Sequence, residues 1–282
     1  MAAAGLVPLR SSAARATFSV FYTFNYFVLS LAPGMHSCRA MDSLTAIAAS
    51  GLRARMESLD LLANNVANAS TGGYKADREF YSLYAAPEAG DAQAIVTMPL
   101  IERPWIDFSQ GVLHATGNPL DVALSGQGFF AVSAPGGPLY TRNGSFLLAS
   151  DGSLVTSEGY PVRSSGGSTM KLDPKRPIEI RDDGTVLQDG AVAGKLDIAD
   201  FTSTAGLEKQ GSNYLRVSDP ALRPSAPAGT SVQQGKLESS NTGSAEAAVR
   251  LVSVMRQFEM LQKAASLGAD MNKQAIEQVA KV

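Results

Sequence analysis

The chain has 282 residues, 18% of them charged, and a formal net charge of −2. A chain of this length can bury a core and form one or two domains, and its nearly balanced charge gives no reason to expect a nucleic-acid partner. The single cysteine, Cys38, excludes a disulfide within the chain and a cysteine-based zinc site, and the two histidines, His36 and His114, argue against histidine-centred catalysis.

Residues 1–40 differ in character from the rest of the chain. Thr17 to Leu31 is uncharged and rich in aromatic residues, and Arg10 and Arg15 precede it, which is a pattern typical of a signal peptide or a short membrane anchor. The run is shorter than the roughly 20 apolar residues that a bilayer-spanning helix needs. The interpretation we favour is an extraneous or signal-like prefix, with translation starting at Met41.

The stretch from Ser43 to Lys75 predicts an amphipathic helix followed by a turn. Apolar residues recur there at alternating steps of three and four, which places them on one stripe of a helix. These residues are Ala49, Leu52, Met56, Leu59, Ala63 and Val66. We interpret Asn64 and Asn65 as side chains that bond to the backbone where the helix ends.

Residues 76–235 show no comparable helical stripe and are rich in turn signals. Asn-Gly and Asp-Gly dipeptides between short apolar runs are typical of hairpins, because a type I′ turn needs positive φ at both central residues. Such dipeptides are Asn143-Gly144, Asp151-Gly152, Asp183-Gly184 and Asp189-Gly190. We therefore predict an all-β region of short antiparallel strands.

A second amphipathic helix is predicted near the C-terminus. The three-four step returns there in Ala247, Leu251, Val254, Phe258, Leu261, Ala265 and Gly268. An isolated amphipathic helix is unstable in water, so each predicted helix needs a partner for its apolar stripe.

The predicted fold class is therefore α+β. N- and C-terminal helices pack as a coiled-coil-like helical region, and an all-β domain of short antiparallel strands is inserted between them. The predicted divisions are the prefix 1–40, an N-terminal helix and turn 41–75, a β-rich middle 76–235 and a C-terminal helix 236–282.

The two stripes can form either an intramolecular core or contacts between subunits. They lie at the two ends of the chain, outside the β region, and they are rich in small residues that permit close helix packing. These features favour assembly. The predicted contact residues are Leu52, Met56, Leu59, Val66, Leu251, Val254, Phe258 and Leu261.

No motif in the sequence supports catalytic chemistry. Gly229 to Leu237 resembles a phosphate loop, but it has one residue too many between its glycines, and Leu237 stands where Ser or Thr is required. Gly126-Gln127-Gly128 precedes a strand, whereas a dinucleotide fingerprint precedes a helix. His114 is interpreted as a surface or turn residue. We predict no catalytic, cofactor-binding or metal site and no enzymatic activity.

Several motifs, in order along the chain, resemble those of the bacterial flagellar rod and hook proteins. The resemblance extends from Met41 to about Val279. Its motifs are Ser50 to Leu52, Asn64 to Asn68 and Thr71 to Lys75; then Asp107 to Gly111, Thr116 to Ala123, Gly126 to Phe130, Tyr140 to Phe146 and Asp151 to Val155; and finally Gly235 to Asn241.

This resemblance implies a structural, non-enzymatic subunit of the flagellar basal-body rod, which crosses the periplasm as part of the drive shaft for motility. It implies self-assembly through the terminal helices and entry through the flagellar type III export apparatus. The implied partners are other copies of the chain, other rod proteins and that export apparatus. No cofactor, nucleic acid or small-molecule substrate is implied.

Within the family, Arg256 to Met260 is more similar to the proximal-rod proteins than to the distal-rod proteins. A distal-rod protein is the first alternative, since it shares nearly every motif. A secreted or anchored β-rich protein with an adhesive or carbohydrate-binding role is the alternative from a different class, because hairpin loops on an all-β surface can also bind ligands.

Overall fold

Two long helices precede and follow a series of short strands in the computed structural model, which describes residues 43–85, 97–101, 104–211 and 213–280. The predicted prefix, 1–40, lies outside the described residues. Every described strand pairing is antiparallel, and all these strands lie between the two helices in the sequence. The α+β class and the inserted β region are thereby confirmed.

The helices are α1 (Ser43–Ala67) and α2 (Ser244–Val279). The described strands are β1 (Asp77–Arg78), β2 (Tyr81–Ala85), β3 (Thr97–Ile101), β4 (Trp105–Ile106), β5 (Leu113–Ala115), β6 (Val122–Ser125), β7 (Phe129–Ala134), β8 (Gly137–Thr141), β9 (Leu147–Leu148), β10 (Leu154–Val155), β11 (Ile178–Ile180), β12 (Thr185–Gln188), β13 (Ala191–Lys195), β14 (Ile198–Ala199), β15 (Leu207–Gln210), β16 (Tyr214–Val217), β17 (Ser231–Gln234) and β18 (Lys236–Glu238). The residues just before α2 therefore form a strand, and the helix itself begins at Ser244.

The sheet order returns the end of the β region to its beginning. The largest described sheet has five strands in the order β14-β7-β8-β16-β15, and β11-β12-β13 form a three-stranded sheet. The late strands β17 and β18 pair with the early strands β6 and β5. The amide of Gly73, after α1, donates to the carbonyl of Glu238 at 2.8 Å, and this bond brings the start of α2 close to the end of α1.

The main core lies between the sheets of the β region. Phe130 and Phe146 meet edge to face with ring centroids 5.2 Å apart, and both side chains are fully buried. The aliphatic residues around them include Val122, Leu124, Val132, Leu139, Leu154, Val186, Leu196 and Val232. Burial of one such side chain contributes about 1.5–3 kcal/mol, so the β region has a large hydrophobic core of its own.

Three of the four predicted turn dipeptides connect strands of hairpins. At Asp189-Gly190 the φ angles are 50° and 80°, as a type I′ turn requires. Asp151-Gly152 and Asp183-Gly184 lie in the β9–β10 and β11–β12 hairpins. The prediction for Asn143-Gly144 is wrong, because β8 pairs with β7 and β16 and neither residue of the dipeptide has positive φ.

Close packing explains the glycine of that dipeptide. A Cβ atom on Gly144 would lie 1.6 Å from the carbonyl oxygen of Val122, and the Val122 amide donates a hydrogen bond to the Gly144 carbonyl at 3.0 Å. Glycine is therefore required here for the approach of two backbone segments, which is a different use from hairpin formation.

The two helices meet at Gly51 of α1 and Leu261 of α2. The side chain of Leu261 lies 3.6 Å from the position that a Cβ atom of Gly51 would take. The residues of α1 buried on this side are Gly51, Ala54, Ser58, Leu62 and Asn65, and the buried residues of α2 are Ala247, Val254 and Gly268. Among the described helices, neither is long and apolar enough to cross a membrane.

Candidate functional site: the junction between the helices and the β region

A buried group of three charged side chains connects the distant parts of the chain. Glu238 Oε1 lies 2.6 Å from Lys75 Nζ, and Glu238 Oε2 lies 3.2 Å from Arg142 Nη1. The side chains are 0%, 3% and 4% exposed for Glu238, Lys75 and Arg142, respectively. Lys75 follows α1, Glu238 precedes α2, and Arg142 belongs to the β region, so the cluster holds together all three parts.

Backbone groups add hydrogen bonds to the cluster, although the buried Nε of Arg142 has no hydrogen-bond partner. The amide of Gly111 donates to Glu238 Oε1 at 2.9 Å, and Lys75 Nζ donates to the carbonyl of Ser109 at 2.7 Å. Arg142 Nη2 donates to the carbonyl of Gly126 at 2.5 Å. Buried ions are tolerated only when opposite charges and hydrogen bonds replace the lost water, and this arrangement supplies both.

The electrostatics of the cluster depend on its one carboxylate. Burial lowers the pKa of Lys75 and of Arg142 below their ordinary values, and Glu238 opposes the shift in both cases. The buried positive charge of both side chains is therefore stabilised chiefly by Glu238. A single carboxylate therefore pairs with two cations.

Two asparagine side chains connect the same segments through backbone groups. The Asn65 amide on α1 donates to the Asp77 carbonyl at 2.8 Å, and Asn65 Oδ1 accepts from the Asp77 amide at 2.9 Å. Asn241, just before α2, donates to the Asp107 carbonyl at 2.6 Å and accepts from the Ala76 amide at 2.8 Å. Asn65 thus occupies the hydrogen-bonding positions that a neighbouring strand would fill, whereas Asn241 bridges two paired segments, at Ala76 and Asp107.

These contacts correct the interpretation of Asn65. We expected Asn64 and Asn65 to bond to the backbone at the end of α1, but Asn65 bonds to β1. The helix end is satisfied instead by Asn68, whose side chain donates to the Asn64 carbonyl at 2.9 Å. Asn64 itself donates from its side chain to Tyr74 and Asp77, both at 3.3 Å.

A lysine of the five-stranded sheet also reaches the junction. Lys209 Nζ on β15 lies 2.7 Å from Asp77 Oδ2 and 4.2 Å from the centroid of the Tyr74 ring. Burial lowers the pKa of Lys209, and Asp77 opposes that shift. The ion pair and the cation–π contact attach the chain segment after α1 to a second sheet.

The junction is held together by ion pairs and hydrogen bonds within the chain. It fixes where the chain leaves α1 and where it enters α2, both relative to the β region. Within the described ranges, no group of three or more His, Cys, Asp or Glu side chains is arranged to hold a metal ion.

The predicted assembly residues lie on both helices, and one of those on α2, Leu261, contacts α1 at Gly51. Met56 is 56% exposed and Val254 is 5% exposed. The other six are half-buried, namely Leu52, Leu59, Val66, Leu251, Phe258 and Leu261. The predicted stripe of α1 lies beside the buried line of Gly51 to Asn65 and is not part of it.

Sequence reasoning missed the functional importance of the three cluster residues. Lys75, Arg142 and Glu238 each lie inside a motif that carried the family resemblance, but isolated charged residues are usually exposed, and nothing in the sequence pairs residues 163 positions apart. The useful signal is that three motifs from separate regions contain charged residues among small, turn-forming neighbours: Lys75 in the first, Arg142 in the second, and Lys236 and Glu238 in the third.

Comparison with known proteins follows the same three regions. The family model described as "Flagella basal body rod protein" matches residues 46–75, "Flagellar hook protein FlgE/F/G D1 domain" matches 123–192, and "Flagellar basal body rod FlgEFG protein C-terminal" matches 233–278. The first and last matched ranges contain Lys75 and Glu238, and the middle one contains Arg142.

Individual relatives match over most of their length. The flagellar basal-body rod protein FlgF of Caulobacter vibrioides is 31% identical over 246 residues, which cover 86% of this chain and all of the relative. FlgF of Mesorhizobium japonicum is 30% identical, over 77% of this chain and 89% of the relative. FlgG of Agrobacterium fabrum is 34% identical, over 80% of this chain and 95% of the relative.

Proposed function

Because the chain belongs to the flagellar basal-body rod protein family, we propose that it forms the rod by polymerising through its two terminal helices. It is a structural subunit of the basal-body rod and is located there. The observation that carries the proposal is that both helices keep large apolar side chains exposed after they have contacted each other, such as Met56 at 56% and Met260 at 62%.

The two helices pair within each subunit as a short coiled-coil-like unit. Support comes from the Gly51–Leu261 contact and from the seven-residue spacing of Ala247, Val254 and Leu261 along one side of α2. The remaining apolar side chains then face outward, where a neighbouring subunit can bury them. Exposed apolar surface of this kind is typical of an interaction site.

The β region forms an outer layer attached to this helical unit. Its core is independent of the helices, and the Lys75–Arg142–Glu238 cluster fixes its orientation relative to them. A subunit built this way transmits torque between its layers, because the junction is held by buried ion pairs and not by a flexible linker. The role is structural and not catalytic.

We assign the chain to the proximal rod, where it contacts copies of itself and other rod proteins, after delivery by the flagellar export apparatus. The similarity of Arg256 to Met260 to proximal-rod sequences supports this assignment. The distal rod remains the alternative within the family, and the adhesive alternative is not favoured.

Replacing Leu59 or Phe258 with aspartate is expected to block incorporation into the basal body. Leu59 is half-buried on α1, and Phe258 is half-buried on α2 one turn from Leu261, so each charge would enter an apolar contact. Burial of an unpaired carboxylate costs several kcal/mol. Incorporation is measured by quantitative mass spectrometry of purified basal bodies, and motility is scored in the same cells.

The control is Gln262→Asp at an exposed position of α2, which should assemble normally. The far-UV circular dichroism of the β region should survive in all three variants, because its core lies elsewhere. Motile cells with normal amounts of either the Leu59 or the Phe258 variant in their basal bodies would contradict polymerisation through the helices.

A further inference from the structure

Three arginine side chains line one cleft of the β region. They are Arg163 after β10, Arg216 on β16 and Arg223 in the connection between β16 and β17. The cleft has a volume of about 380 Å³, within the range of about 300–1,000 Å³ that is typical of ligand-binding clefts. It shares no lining residue with the ion cluster of the junction, and we refer to it as the arginine cleft.

Two of the three guanidinium groups have no carboxylate partner among the described residues. Arg163 is half-buried, and its Nε lies 3.5 Å from Asp197 Oδ2. Arg216 and Arg223 are exposed, and neither forms an ion pair with a residue that the structure describes. These two arginines are therefore the groups of the cleft that a negatively charged ligand can use.

The carboxylates close to the cleft do not occupy these two arginines. Asp219 is the one acidic residue among the described lining residues, and its Oδ1 accepts a hydrogen bond from the Ala221 amide at 2.8 Å. Glu208 lies opposite Arg216 on β15, but the two side chains form no ion pair. Recognition of a ligand here thus depends on where the two guanidinium groups lie and not on a large excess of positive charge.

The backbone of the β7–β8 turn positions the Arg216 side chain. A Cβ atom on Gly136 would lie 2.7 Å from Arg216 Nη2 and 3.7 Å from Arg216 Cζ, so the guanidinium group packs directly over this glycine. The absence of a side chain at position 136 makes room for the group. A guanidinium group is a rigid planar fork that binds a carboxylate through two parallel hydrogen bonds, and packing over the turn holds that fork beside the cleft.

Other walls of the cleft include apolar groups. Tyr140 lies on β8, and Pro220 and Pro224 lie in the same connection as Arg223. A bare anion such as phosphate cannot use these walls. A peptide can place its carboxylates on the arginines and its apolar atoms against the tyrosine and the prolines.

We propose that the arginine cleft binds an acidic peptide segment of a neighbouring protein in the rod, with one carboxylate on Arg216 and another on Arg223. The inference rests on the proposed function, because a rod subunit has other proteins as its neighbours. It adds a contact made by the β region to those made by the helices.

The test is the binding of a fluorescein-labelled hexaglutamate peptide to the purified full-length chain, measured by fluorescence anisotropy at low salt. The unaltered chain should bind this peptide and should not bind a hexaglutamine peptide. The double variant Arg216→Gln and Arg223→Gln should bind hexaglutamate at least about tenfold more weakly, because it loses two sets of charge-assisted hydrogen bonds.

Gly136→Ala tests the position of Arg216 without changing any charge. The added methyl group should displace the guanidinium group and weaken hexaglutamate binding about threefold to tenfold. One matched control is Gly166→Ala, at a glycine with open space around the position of a Cβ atom. The other is the double variant Lys175→Gln and Arg181→Gln, which removes two exposed positive charges elsewhere in the β region. Both controls should bind as the unaltered chain does.

Three results would overturn the proposal. They are no binding of hexaglutamate to the unaltered chain, equal binding by the Arg216 and Arg223 double variant, and release of the peptide by an equimolar amount of inorganic phosphate. The last result would identify a site for small anions instead. None of the three bears on polymerisation through the helices, which Leu59→Asp tests separately in basal bodies.

Discussion

Replacing Glu238 with glutamine is expected to lower the free energy of unfolding by about 3–5 kcal/mol, the range found when one partner of a buried ion pair is removed. Glutamine keeps the shape of the side chain but leaves Lys75 and Arg142 buried, at 3% and 4% exposed, without a negative charge. Since burial already lowers the pKa of both cations and Glu238 opposes that shift, the substitution removes the main group that stabilises their charged forms.

The loss is measured as a shift in the midpoint of urea or guanidinium unfolding of the purified chain. The matched control is Glu57→Gln, because Glu57 pairs with Arg53 on the surface of α1 with side chains 40% and 78% exposed. An exposed pair of that kind contributes about 0.5 kcal/mol or less. If the Glu238 variant unfolds at the same midpoint as the Glu57 variant, the buried cluster does not hold the junction together.

Replacing Gly73 with alanine is expected to cost about 2–5 kcal/mol, the sum of a left-handed backbone penalty and an overpacking penalty. Gly73 has φ of +67°, and a Cβ atom there would lie 2.3 Å from the Asn143 amide nitrogen and 2.4 Å from the Arg142 carbonyl carbon. Both of these are backbone atoms, so the methyl group would force the chain after α1 away from Arg142 and weaken the ion cluster.

Gly159→Ala separates the two penalties. Gly159 has φ of +85° but open space around the position of a Cβ atom, so only the backbone penalty of about 1–2 kcal/mol applies. Denaturant unfolding of both variants should therefore show a clearly larger loss at position 73. Equal losses would mean that the close approach of Gly73 to the β region has no energetic importance.

Local patterns in the sequence predicted the elements of the fold well. The three-four spacing of apolar residues identified both helices, and Asp189-Gly190 identified a type I′ turn, because each of these features depends on residues close together in the chain. Asn143-Gly144 failed for a non-local reason. Its glycine is needed where Val122 approaches from another strand, and this approach is invisible to a rule about turns.

The junction could not be predicted from local patterns. Its ion pairs join Glu238 to Lys75 and Arg142, which are 163 and 96 residues away, so only the folded topology brings them together. Asn65 was interpreted locally for the same reason, although its partner is Asp77 on a strand.

The buried side of α1 does not follow the largest apolar residues. Periodicity selects Leu52 and Met56 among the predicted assembly contacts, whereas the structure buries the smaller residues Gly51 and Ala54. We propose that Leu52 and Met56 contact a neighbouring subunit.

Methionine oxidation tests assembly through the helices most directly, because hydrogen peroxide converts accessible methionines to sulfoxides that mass spectrometry can count. Met56, Met260 and Met271 are 56%, 62% and 70% exposed in the single chain, whereas Met170 in the β core is 2% exposed and serves as the slow internal standard. We expect the three helical methionines to react readily in the purified chain and to become as slow as Met170 in intact basal bodies. Equally fast oxidation of these methionines in both preparations would contradict assembly through the helices.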